Sequence, residues 1–281
     1  MAVTNGWGQA AVNNTIDYGK GKTTATNDWG KIYDSSASGD TSLGTAAAFS
    51  NTKSILLDGV DDFVEITNTN NLRPTESELN ASGYTLSIWV KRNNTGTYGL
   101  FANDGVGQTT YYGLEFYVTS NGTLGMQKLD GQGTGSSDRS TAVTSSGAIS
   151  VGSWAHVLFV LPTANKSAWK IYVNGVSQTL TTSGTGGNVG YLNGTAAIGA
   201  IRTGKFFKDN IDEVAVWNSD QSTNVATIYN SGVPNDISSL SPVSWWRCGD
   251  NDTSPTLTDN GSGGNNGTME NFTTFSTDVP T

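Results

Sequence analysis

A single cysteine, Cys248, and a single histidine, His156, serve the whole 281-residue chain. Without a second thiol an intrachain disulfide is excluded, and the redox compartment is left open. With one imidazole, His-rich zinc sites are excluded, and any Ser-His-Asp arrangement would have to be built on His156 alone. Charge is also sparse: Asp, Glu, Lys and Arg make up 14% of the residues, with a balance of −9. No basic run offers the clustered Lys and Arg that a phosphate backbone requires, so nucleic acid is not expected as a partner. No window approaches eighteen apolar residues, so no membrane-spanning helix is expected. The first residues show neither the basic nor the apolar region of a secretory signal, and synthesis in a cytoplasm is expected.

What the chain has instead is turn chemistry and alternation. Its 35 glycines sit among abundant Asn, Thr and Ser, a balance that suits short strands and tight turns. From residue 53 onward apolar residues recur at every second position. In SILLDGVDDFVEI a short apolar run meets an Asp-Gly turn. YTLSIWVKR puts Tyr84, Leu86, Ile88 and Val90 on one face of a strand, with Thr85, Ser87, Trp89 and Lys91 on the other. YYGLEFYVTSNGTLGMQKL reads as a hairpin through Asn121-Gly122, and WKIYVNGVSQTL turns at Asn174-Gly175. WAHVLFVLP is continuous enough to be a central strand buried on both faces. TAAIGAIR and NIDEVAVWN follow as two further strands. Only SDQSTNVATIYNSG has helical spacing, with Ser222 as its cap, Val225, Ile228 and Tyr229 on one face, and Gly232 closing it. The expectation is an all-β, two-sheet antiparallel jelly-roll sandwich.

LLDGVDDFVEI, YTLSIWVK, WAHVLFV, WKIYVNGV, AAIGA and NIDEVAVWNSDQSTNVATIYNSG, in this order over residues 50–233, resemble laminin-G-like, concanavalin A-like jelly rolls. The resemblance implies two curved antiparallel sheets, and glycan or protein binding more often than catalysis. One segment is out of place. VSWWRCGDNDTSPTLTDNGSGGNNGTMENFT, at 243–272, is similar to the piece that usually opens such a domain, yet here it follows the helix. We read a circular permutation, in which residues 240–275 supply the strands that ordinarily come first and fill the edge beside residues 53–66. The alternative is the remnant of a second repeat. A remnant would leave Trp245, Trp246, Leu257 and Phe272 in water, although burying one large side chain is worth about 1.5–3 kcal/mol. The expected jelly roll therefore occupies 46–281, behind an N-terminal arm of residues 1–45.

Catalysis has little to stand on. A glycosidase needs two carboxylates roughly 5–9.5 Å apart. Glu115 stands alone in GLEFYV, and Asp212 and Glu213 are adjacent, so in a regular strand they point to opposite faces. His156 shares an apolar strand with no nucleophile motif beside it and reads as a packed residue. Cys248, beside two tryptophans, reads as a small buried hydrophobe. The protein is expected not to be an enzyme.

Asp212 alternates with Val214 and Val216, which turns a carboxylate toward the core, where it must be hydrogen-bonded, paired or metal-bound. One reading is an Asp that accepts backbone N–H groups from a neighbouring loop. The other is calcium, which many relatives of this fold carry and which takes six to eight oxygens. Asp58, Asp61 and Asp62 of LLDGVDDF would join Asp212 as ligands, with Asp250, Asn251 and Asp252 as further donors. Glycan binding asks for an exposed ring flanked by amides and carboxylates. Trp89, on the polar face of its strand, qualifies unless a crossing segment packs over it. The stronger candidate is the loop FANDGVGQTT, with Asn103, Asp104 and Gln108, followed by Tyr111 and Tyr112.

Residues 1–45 lack the alternation. Trp7-Gly8, Tyr18-Gly19 and Trp29-Gly30 recur every eleven residues, which in an extended chain sets successive rings about 36 Å apart. The ribbon either anchors the protein to an assembly through Trp7, Tyr18 and Trp29, or is a flexible leader carrying the trace of a duplication. NGWGQAAVNNT and the WWRCGDNDT…GSGGNNGT ending resemble accessory structural proteins of marine tailed bacteriophages. That resemblance implies a non-catalytic virion surface protein, a capsid-decoration or tail-fibre component, made in the host cytoplasm. It would be held to other virion proteins by its arm, be homo-oligomeric, and turn a glycan-binding jelly roll toward host-surface glycans. The alternatives are a bacterial cell-surface carbohydrate-binding module or adhesin, and a glycoside hydrolase.

Overall fold

Alternating apolar side chains bury one face of each strand, and two antiparallel sheets pack those faces together. The structure, a computed structural model, describes residues 25–26, 32–33 and 49–281, other than 68, 94–95, 105–110, 193 and 203. The chain divides into two compact units, residues 1–49 and 50–281. In the first, β1 (Ala25–Thr26) and β2 (Ile32–Tyr33) pair antiparallel.

The second unit begins with β3 (Ser54–Asp58), β4 (Phe63–Ile66), helix α1 (Glu76–Ala81), β5 (Tyr84–Lys91), β6 (Tyr98–Ala102), β7 (Tyr112–Val118) and β8 (Leu124–Asp130). It continues with β9 (Arg139–Thr144), β10 (Trp154–Leu161), β11 (Lys170–Val173), β12 (Val176–Ser177), β13 (Leu180–Ser183) and β14 (Ala196–Ile198). Then come β15 (Ala200–Ile201), β16 (Lys205–Phe206), β17 (Lys208–Trp217), helix α2 (Val225–Tyr229), β18 (Ser244–Trp246), β19 (Thr256–Leu257), β20 (Gly267–Glu270) and β21 (Phe275–Ser276). An eight-stranded sheet runs β12-β11-β10-β5-β17-β3-β21, with β18 also paired to β17; a nine-stranded sheet runs β13-β9-β8-β7-β6-β14-β4-β20-β19. The inward rows meet in one core, with Tyr84, Leu86, Ile88 and Phe159 from the first sheet against Phe101, Phe116 and Met126 from the second. Tyr84 and Phe159 both lie against Phe116. This is the all-β jelly-roll sandwich that the alternation predicts.

Residues 244–276 are built into the sheets. β18 pairs with β17, β20 with β4 and β21 with β3, and Trp246 and Leu257 are fully buried. Three local readings need correction. Helix α1 carries a capping box, Thr75 Oγ1 accepting from Glu78 N at 3.2 Å while Glu78 accepts from Thr75 N at 2.7 Å. Apolar spacing misses it because Leu79 is its one buried residue. Helix α2 starts after Asn224 rather than Ser222 and ends at Asn230, which takes the left-handed conformation. TAAIGAIR is two strands, not one. Gly199 breaks it at φ +83, where a Cβ would lie 2.3 Å from Leu57 Cδ1. Among the described residues no helix is long and apolar enough to cross a membrane.

Candidate functional site

Because Phe116 and Met126 face the core, alternation turns Glu115 and Tyr117 of β7, and Gly125 and Gln127 of β8, to the outer side of the nine-stranded sheet. Register then lines up a polar row: Ser183, Thr141, Gln127 and Glu115, a gap at Ala102 and Ala197, then Glu65 and Thr268. Two glycines shape this face. Tyr117 is registered with Gly125, and a Cβ there would lie 2.2 Å from the Tyr117 ring, so the ring lies down against the sheet. A Cβ at Gly99 would lie 2.3 Å from the Ile201 backbone nitrogen, so the β15–β16 hairpin rests directly on β6.

That hairpin carries Arg202 over the face. Its Nε donates to both oxygens of Glu115, at 2.8 and 2.7 Å, and its Nη2 donates to Gln127 Oε1 at 2.5 Å. Its guanidinium carbon lies 3.7 Å from the centre of the Tyr111 ring, a cation–π stack. Burial pushes the Glu115 carboxyl above its usual range, against the opposing pull of Arg202. Thr141 Oγ1, buried in the same row, has no hydrogen-bond partner among the described residues. The flat Tyr117 ring offers an apolar surface of the kind that a sugar's C–H face requires, while Thr141 and Gln127 beside it are buried. The next carboxylate along the row is Glu65, three strands from Glu115. At about 4.8 Å per strand that is roughly 14 Å, wider than the ~5–9.5 Å of a glycosidase pair.

The residues expected from sequence fall into different places. Trp89 is 4% exposed. Residues 219–237 cross above it, with the Tyr229 ring stacked at 6.2 Å and the His156 ring at 5.1 Å, so it is packing and not a platform. Asn103 and Asp104 are buried braces. Asn103 accepts from Leu114 N at 2.7 Å and donates to Leu72 O at 2.8 Å. Asp104 accepts from Gly194 N at 2.7 Å and from Leu192 N, and pairs with Arg73 at 3.1 Å. Gln108 lies outside the described residues, as do Trp7, Tyr18 and Trp29. Tyr112 is half-buried and lies over Gly131, where a Cβ would come within 2.6 Å of its ring. Tyr111 alone joins the Arg202 group. Tyr117 and Gln127 escape the sequence reading: the loop spans three residues, 120–122, and a two-residue Asn-Gly count would set Tyr117 opposite Met126 instead of Gly125.

The four proposed calcium ligands do not converge. Carboxylate oxygens of Asp58, Asp61 and Asp62 lie within 4.8 Å of one another. Two of these groups already serve the turn, Asp58 Oδ1 accepting from Val60 N at 2.7 Å and Asp62 Oδ2 from Asp58 N at 2.9 Å. Burial pushes the Asp62 carboxyl up. Lys208 is registered with Asp58, and Asp212 is four residues farther along β17, roughly 13 Å away.

Asp212 belongs to a separate buried group. It is registered with Trp89, whereas Ala215 is registered with Ser87, so β17 carries an extra residue, and Glu213 takes φ 45. This bulge cancels the expected alternation. Asp212 and Glu213, instead of pointing apart, share an environment with Asp250. Asp212 accepts from Asn51 Nδ2 at 2.9 Å and Glu213 N at 2.8 Å. Glu213 accepts from Trp245 Nε1 at 2.6 Å and Arg247 Nε at 3.1 Å. Asp250 accepts from Thr52 N at 3.0 Å and Thr52 Oγ1 at 2.6 Å, and Arg247 Nη2 donates to Ser50 O at 2.5 Å. Burial, reinforced by Glu213, pushes Asp212 well above the carboxylate range. Burial pushes Glu213 up to about 7, although Arg247 opposes it. The adjoining cavity, about 10 Å³ beside Ser87 and Asn235, has room for about one water. His156 Nε2 bonds Ser87 Oγ at 2.8 Å, and burial pulls the imidazole down to about 3, so it is neutral. Cys248 is buried, and burial pushes its thiol up.

Residues 58–228 match the family model for laminin-G-like domains of the concanavalin A-like lectin/glucanases superfamily. No curated protein sequence matches the chain. Among solved structures, a presumed carbohydrate-binding protein of Bacteroides ovatus aligns over 83% of this chain at 17% identity with a TM-score of 0.56. The chain spans 62% of that protein's length. The CBM40 domain of a Ruminococcus gnavus IT-sialidase, bound to α2,3 sialyllactose, aligns over 62% of this chain and 96% of its own length, at 13% identity and a TM-score of 0.43. A heptameric pentraxin of Limulus polyphemus aligns over 64% of this chain and 82% of its own length, at 16% identity and a TM-score of 0.43.

Proposed function

We propose, from the premise that this chain belongs to the concanavalin A-like lectin/glucanases superfamily, that it is a non-catalytic glycan-binding protein. Its contact surface is the outer face of the nine-stranded sheet. The family name covers lectins and glucanases alike, and the carboxylate spacing on this face favours the first. The observation that carries the reading is the Tyr117 ring laid on Gly125 and left partly exposed, beside a buried polar row held together by the Arg202–Glu115 pair. The finer role is that of a surface component of a tailed-phage virion, on capsid or tail. It is supported by the aromatic-glycine ribbon of residues 1–45, whose spacing suits an anchor for Trp7, Tyr18 and Trp29.

Glycan-array screening of the full chain and of Tyr117→Ala tests the surface. The ligands held by the wild type should bind the variant about tenfold or more weakly, and undiminished binding would remove this face from consideration. A chain lacking residues 1–45 should keep the same selectivity and be missing from purified particles; its normal incorporation would end the virion reading.

A further inference from the structure

At one end of the sandwich an open cleft of about 280 Å³ lies between α1, the turn at 163–168 and the loop around Gly186. It is not part of the outer face. Lys128 and Ser140 are cross-strand partners that continue the inward row of Met126 and Ala142. Where that row runs out of apolar residues, the interior gives way to this polar opening.

The chemistry of the cleft is one-sided. Each of its carboxylate and amide oxygens already accepts from a group of the chain. Glu76 Oε1 takes Lys128 Nζ at 2.6 Å and Oε2 takes Val189 N at 2.9 Å. Asn80 Oδ1 takes Ala164 N at 3.2 Å. Asn165 Oδ1 takes Ser167 N at 3.0 Å and Ser167 Oγ at 2.9 Å. Its donors are unspent. Lys128 uses one ammonium proton of three. The amide NH2 groups of Asn80 and Asn165, the Ser140 hydroxyl and the Lys166 ammonium have no partner among the described residues. Two ammonium groups face one carboxylate, so the cleft is positive within a chain of net charge −9.

We infer that this cleft is a second binding site, selective for a sugar unit that carries a carboxylate or sulfate group. The anion meets Lys166 and Lys128, and ring and hydroxyl oxygens accept from Asn80, Asn165 and Ser140. A neutral sugar gains less, because it has no charge to set against the lysines. The volume is at the small end of ligand clefts, about 300–1,000 Å³, which suits one sugar unit. The inference stands apart from the outer-face reading, since the two surfaces share no residue.

Calorimetric titration of the full chain with glucuronate, glucose 6-sulfate, glucose and inorganic sulfate tests it. At least one anionic sugar should saturate the site about tenfold or more tightly than glucose. Lys166→Ala should weaken it by roughly tenfold. Asn80→Asp should weaken it at least as much, because the change keeps the acceptor for Ala164 N and replaces the NH2 donor with an anion. Asn80 is an exposed residue of α1 and Lys166 lies on the turn at 163–168, so both changes should leave Tm within about 2 °C. Tyr117→Ala should leave this binding intact. Equal binding of glucose, equal binding of inorganic sulfate and glucose 6-sulfate, indifference to both cleft variants, or loss in Tyr117→Ala would each overturn the inference.

Discussion

The two outer faces of the sandwich arise from the same alternation, yet the rings they carry end in different states. On the eight-stranded sheet, Trp89 stands where period two predicts an outward residue, yet α2 and residues 233–237 roof it over. On the nine-stranded sheet, Tyr117 holds the equivalent kind of position and stays partly exposed, laid flat by Gly125. Alternation decides which side a ring takes. Whether that side meets water is decided by segments much later in the chain.

Substituting the two rings should separate packing from display most sharply. Trp89→Ala removes a ring packed against His156 and Tyr229 and should cost roughly 3–5 kcal/mol of stability. Tyr117→Ala should cost less, roughly 1–2 kcal/mol. Denaturant titration measures both, and similar losses would erase the distinction. Gly125→Val is the next largest test, since its side chain must occupy the space under the Tyr117 ring. It should lift the ring and weaken glycan binding about tenfold. Retained binding would mean that the ring's flatness is irrelevant.

The smallest expected effect concerns the buried acid pair on the covered face. Glu213 titrates near 7 when folded and near 4.3 when unfolded. Between those values the folded state holds a proton that the unfolded state releases. The stabilisation is complete below the unfolded value and is lost as pH rises through 7. Wild-type Tm should therefore fall relative to Glu213→Gln by roughly 2–4 °C between pH 6 and 8. Parallel curves would show that Glu213 stays ionised. His156 has the opposite sign, but its contribution lies below its unfolded value of about 6.5, mostly outside this window.

The strands and Asn-Gly hairpins are legible in the sequence because period two and turn chemistry are local. Both positive-φ turn positions, Asn174 and Gly175, are where the residue types place them. The capping box of α1 is written as Thr75-x-x-Glu78, and helical apolar spacing hides it because the helix buries so little. The candidate site is legible only in part. Tyr111 and Glu115 are visible, but Arg202 reaches Glu115 from 87 positions away, by way of a hairpin that only Gly99 admits. The bulge at Glu213 likewise leaves no local signature, so two adjacent carboxylates read as diverging when they share one environment.

Ser50, Asn51 and Thr52 bond in succession to Arg247, Asp212 and Asp250, and the chain then runs straight into β3. Replacing Asn51 or Thr52 by alanine would therefore strip a buried carboxylate of a partner, so the entry to β3 is fixed by electrostatics as well as by the β17 and β21 ladders on either side of it.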